Sequence, residues 1–115
     1  MRVLILAKEG HQSGPPKPPT AEAMAEFQKF NSELVAAGVL LGDGRLYPSA
    51  QGKRLRFDGK QRTIIDGPFA ESKELVGGYW LWQVRSMEEA LEWLKRAPFE
   101  GGTYEIRQIF EFEAM

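Results

Sequence analysis

The sequence predicts an α+β fold: a ferredoxin-like βαββαβ sandwich with an inserted β-hairpin. Three observations carry this. Two amphipathic helical stretches each sit between extended apolar runs. The order is strand, helix, strands, then strand, helix, strand, which is two split βαβ units. An Asp-Gly step between two short β-rich runs marks the extra hairpin.

Residues 2–7 are a continuous apolar run of Val, Ile and Leu, suited to a central strand. Lys8 to Pro19 contains Gly10, Gly14 and four prolines, and reads as a partly stiffened loop. Thr20 is placed to cap a helix reaching Ala37. Ala23, Phe27, Phe30, Leu34 and Ala37 give that helix one apolar stripe, and core packing explains the stripe better than a ligand box does. Gly38 is placed to end it in the left-handed conformation.

Val39-Leu40-Leu41 begins the next strand, Gly42-Asp43-Gly44 reads as a bulge or turn, and Leu46 to Ser49 continues extended. The hairpin joins Lys53–Phe57 to Gln61–Ile65 through Asp58-Gly59-Lys60. Its Lys53, Arg54, Arg56, Lys60 and Arg62 make it locally basic, as expected of a solvated edge that must discourage pairing. Tyr79 to Val84 alternates with apolar residues on both faces, which predicts burial on both sides. Ser86 and Glu89 form a capping box before a helix whose stripe is Met87, Ala90, Leu91 and Leu94, ended by Pro98. Residues 103–112 alternate as a closing strand, with Tyr104, Ile106, Phe110 and Phe112 on one face.

Both helices then fall on one face of the sheet. The other face keeps apolar side chains with nothing left in the chain to cover them, so a two-fold homodimer, sheet on sheet, is expected, with Trp80 and Trp82 in its core.

Residues 1–115 suit one domain and one core. A net charge of −1 leaves no basic field for nucleic acid or an anionic membrane. With no cysteine and one histidine, thiolate chemistry, disulfides and multi-His metal sites drop out; an all-carboxylate site does not. No cofactor is implied. The apolar start is too short for a signal peptide or a membrane span, and cytoplasmic residence follows by default.

The candidate site is Asp66-Gly67-Pro68-Phe69-Ala70-Glu71-Ser72-Lys73-Glu74, between two strands. Gly67 can take dihedrals closed to other residues, Pro68 fixes its own backbone, and Phe69 can pin the turn to the core. Asp66 then stands in a defined orientation at a strand end. The commoner role of such an Asp is to close its own turn. The other is to act as a general base, with His11 closing over it from the long loop. Glu71, Lys73, Glu74 and Arg107 are candidates to bind an acidic substrate, Arg being suited to a carboxylate. Set against this, Glu71, Lys73 and Glu74 read as a surface charge cluster and His11 as an exposed loop residue.

The run Asp66 to Glu74, with Gly77-Gly78-Tyr79, Glu89-Ala90-Leu91-Glu92-Trp93, Pro98 and Ala37-Gly38-Val39-Leu40, resembles the YCII-related family in its DGPF branch. The resemblance covers nearly the whole chain. It implies a dimeric α+β barrel. It also implies relatives similar to muconolactone isomerases, one branch that dehydrochlorinates a lactone-like substrate, and some members associated with sigma factors. In the catalytic branch a His and an Asp are proposed to act together. Asp66 is at the motif position here, while the first helix has no histidine and His11 lies before it. The implied reading is lyase- or isomerase-like proton transfer on a small acidic or lactone compound. Its alternative is a non-catalytic module that binds a small molecule or a protein, with a link to transcription.

Overall fold

A computed structural model describes residues 1–8, 20–69, 76–99 and 101–111. His11, Glu71, Lys73, Glu74 and the proline-rich loop lie outside the described residues.

The elements are β1 (Arg2–Lys8), α1 (Ala21–Ala36), β2 (Leu40–Arg45), β3 (Lys53–Asp58), β4 (Gln61–Asp66), β5 (Val76–Gln83), α2 (Met87–Lys95) and β6 (Tyr104–Gln108). Strands β2, β5, β1 and β6, in that order, form one antiparallel sheet, while among the described residues β3 and β4 pair only with each other. This is the ferredoxin-like order with the hairpin inserted between β2 and β5.

The caps act where the sequence placed them. The Ala23 N–H donates to Thr20 Oγ1 (3.1 Å) and the Glu89 N–H to Ser86 Oγ (3.1 Å). Only half of the expected capping box forms, because the Glu89 carboxylate pairs with Arg85 (3.2 Å) rather than reaching back. Gly38 has φ 74°, the left-handed geometry that stops α1. Gly42, Asp43 and Gly44 belong to β2, with a register shift between Leu40 and Gly42, so the bulge is real but lies within the strand. Beyond it the chain is not extended to Ser49; Ser49–Gln51 is a single 3₁₀ turn.

Cross-strand register assigns the two faces of the sheet. Ile5 stands opposite Trp80 and Ile106, and Val3 opposite Trp82. These side chains meet Phe30 and Leu34 of α1 and Ala90 of α2 in a core where no buried residue is more than 4% exposed. Trp80 and Trp82 therefore fill the chain's own core. The expectation that they form a dimer core is corrected by this placement, since the helices cover their face. In α2, Trp93 packs inward against Phe30 (ring centroids 6.4 Å apart) and Leu91 points out. Met87, Ala90 and Leu94 keep their expected places at the core, with Trp93 in place of Leu91.

The opposite face carries Leu4 against Leu81 and Leu6 against Tyr79, with Glu105 and Arg107 on β6 beside them. Tyr79 is 40% exposed, so the two-sided burial expected of β5 is not achieved within one chain. β6 ends at Gln108, and Phe110, expected on its apolar face, is 85% exposed. No helix among the described residues is long and apolar enough to cross a membrane.

Candidate functional site

Among the described residues a cavity lies on the helix-covered face, at the end of the sheet where β1 finishes and β5 begins. It encloses about 570 Å³, within the range of small-molecule sites. Its position follows from residue size. Ala7 of β1 stands opposite Gly78 of β5, and Gly78 stands opposite Arg45 of β2. Where Ile5 and Trp80 fill the next layer, Ala7 and Gly78 leave a gap. A Cβ on Gly78 would come within 3.2 Å of the Gly44 carbonyl oxygen, a tight contact that would press β2 back by a few tenths of an ångström.

The walls are aromatic. Phe27 of α1 stacks on Trp80 (5.4 Å, interplanar 8°). Phe99 stacks on Tyr104 (4.3 Å, 12°) and leans on Trp80 (5.5 Å). The indole of Trp80 is held in place by donating from Nε1 to Asn31 Oδ1 (3.1 Å). Flat rings fixed in this way offer faces on which a planar ligand can stack.

The lining residues with polar side chains include Asp43, Arg45 and Tyr104. Asp43 and Arg45, two residues apart on β2, lie on the same face of the strand and both line the cavity. Tyr104 lines it from β6, and burial pushes its hydroxyl above the usual tyrosine range, so at neutral pH it is a proton donor. The set therefore comprises a planar cation, a carboxylate and a phenol around an apolar floor.

Asp66 and Arg107 stand elsewhere. Asp66 ends β4, directly across from Lys53, and its carboxylate pairs with the Lys53 ammonium at 2.5 Å, both side chains being exposed. It does not line the cavity. The Gly67–Pro68 peptide is cis. Gly67 is needed for closeness rather than for a positive φ, since a Cβ there would run into the Ser49 carbonyl oxygen. Phe69 does not reach the core. It packs at the hairpin base, with the Arg54 guanidinium 3.8 Å from its ring centre and its N–H on Ser49 Oγ (3.5 Å). Arg107 lies on the outer face of β6, 3.6 Å from Glu105 and on the opposite side of the sheet from the cavity.

Sequence reasoning overlooked Asp43, Arg45 and Tyr104 as site residues. A signal existed: Gly77-Gly78 is unusual within a strand, where glycine marks close backbone approach. Two polar residues at alternate positions of β2 become informative only once that strand is known to run through Gly42 and Gly44.

A family model for the YCII-related domain matches residues 1–113. An uncharacterized protein of Rhizobium meliloti (strain 1021) is 32% identical over 110 residues, which covers 93% of this chain and 89% of that protein. A match from the first strand through the last, across both helices and the hairpin, means that the chain belongs to the YCII-related domain family.

Proposed function

We propose that this protein binds a small ring compound bearing a carboxylate or lactone group in the cavity between α1 and the sheet, and that the chemistry available there is proton transfer. The observation that carries the reading is the lining itself: stacked aromatic walls with Asp43, Arg45 and Tyr104 among the polar groups. Arg45 suits a carboxylate through paired N–H donors. Tyr104 can donate to a carbonyl oxygen, and Asp43 can accept a proton from a neighbouring carbon or hydroxyl. The family resemblance puts Asp66 at the position of the catalytic branch's Asp, and His11, in the loop before α1, is its candidate partner. The run from Asp66 to Glu74 favours the DGPF branch. The outer sheet face, with half-buried Leu4, Leu6 and Leu81 beside the exposed Tyr79, favours a homodimer formed sheet on sheet.

The test uses Trp80 as the reporter. Aromatic and alicyclic acids and lactones, with neutral isosteres, are titrated against tryptophan fluorescence and calorimetry. Arg45→Ala should weaken binding of the acids at least tenfold and leave the neutral analogues unchanged. Equal affinity for acids and isosteres, or no effect of Arg45→Ala, would overturn the reading. For any compound turned over, Asp43→Asn and Asp66→Asn then assign the base.

A further inference from the structure

The cavity reaches β2, an edge strand of the sheet, and there two opposite charges stand on one face. Asp43 and Arg45 are two residues apart, about 7 Å along the strand, and both are exposed at the rim. Among the described residues neither side chain makes a hydrogen bond or an ion pair, with the other or with any neighbour. Lys53 and Asp66, by contrast, pair with each other, as do Arg96 and Glu33.

This arrangement discriminates between ligands by charge. A plain carboxylate on Arg45 lies within reach of the Asp43 carboxylate, and the like charges oppose one another. A ligand carrying an ammonium beside its carboxylate meets both side chains at once and leaves neither facing its like. The depth behind the pair suits a short aromatic side chain. Trp80 is the cross-strand neighbour of Asp43 and Gly78 that of Arg45, with Ala7 beyond Gly78. Adjacent strands lie about 4.8 Å apart, so the gap over Gly78 and Ala7 spans one to two strand steps from the charged rim, roughly 5–10 Å. Phe27, Trp80 and Phe99 line it. A charged head that stays at the rim keeps part of its hydration, while a ring attached to it enters the apolar gap.

We propose that the ligand of this cavity is an aromatic α-amino acid, with its carboxylate on Arg45, its ammonium on Asp43 and its ring over Gly78 and Ala7; this rests on the carboxylate-binding reading above and narrows it.

The test is isothermal titration calorimetry on the full chain with L-phenylalanine, 3-phenylpropanoate, 2-phenylethylamine and L-leucine. The second lacks the ammonium, the third the carboxylate and the fourth the ring. L-Phenylalanine should bind about tenfold or more tightly than each of the others. Asp43→Asn should weaken L-phenylalanine and 2-phenylethylamine but not 3-phenylpropanoate. Arg45→Ala should weaken L-phenylalanine and 3-phenylpropanoate but not 2-phenylethylamine. Both residues are exposed, so both variants should keep the wild-type near-UV circular dichroism. If 3-phenylpropanoate binds as tightly as L-phenylalanine and Asp43→Asn weakens neither, the amino-acid inference is overturned and the carboxylate reading stands. L-Leucine binding as tightly as L-phenylalanine would overturn the aromatic class. If neither carboxylate with a ring binds, or Arg45→Ala leaves both unaffected, both readings fall.

Discussion

The four-stranded body and the β3–β4 hairpin are built from similar residues and reach opposite outcomes. In the body, Val3, Ile5, Trp80 and Trp82 alternate toward two helices and are at most 4% exposed. In the hairpin, Leu55, Phe57 and Ile64 alternate in the same manner, yet every residue of both strands is exposed. Periodicity specifies which side chains share a face; it does not supply the layer that covers it. Among the described residues the hairpin is held by its own ladder, by the Lys53–Asp66 pair and by contacts at its base with Ser49 and Phe69.

The contrast can be broken at its strongest point first. Trp82→Ala should cost about 3–5 kcal/mol of unfolding free energy, the usual loss for a buried aromatic, whereas Phe57→Ala in the monomeric state should stay within about 0.5 kcal/mol. Urea denaturation of both variants at low protein concentration decides this; comparable losses would mean that the hairpin is packed in solution. Next is Gly67→Ala. The added methyl meets the Ser49 carbonyl oxygen, and the strain should cost about 1–3 kcal/mol, concentrated in the hairpin. Hydrogen exchange is the readout: amides of β3 and β4 should lose protection while those of β1 and β5 keep theirs. The smallest effect is expected from Asp66→Asn. An exposed pair with Lys53 contributes less than about 1 kcal/mol, so the melting temperature should barely move. A large loss of stability would give Asp66 a structural role that its present contacts do not explain.

Much of the architecture was readable from residue patterns, because those patterns are local. Thr20, Gly38 and Ser86 mark helix ends through bonds or dihedrals within a few residues. The Gly59 turn, at φ 59° with Lys60 following, is the glycine-led geometry that a two-residue hairpin connection requires. The cavity was not readable in this way, because it is a property of register. Nothing in the sequence states that Ala7 faces Gly78, or that Asp43 and Arg45 share a face with Trp80, until the strands are aligned. Asp66 stood out for the opposite reason. Its neighbours form a conspicuous local turn, and the structure shows what that turn does at close range: it brings Gly67 under Ser49 and Phe69 under Arg54.

Gly78 and Ala7 give the cavity a simple means of adjustment. Together they determine how deep a guest can sit, and neither belongs to the tryptophan-centred core. Relatives with a bulkier residue at position 7 would admit shorter molecules on an otherwise unchanged scaffold, and at position 78 the neighbouring strand would have to shift as well. Ligand preference across such proteins should therefore track the combined volume at these two sites more closely than overall sequence identity.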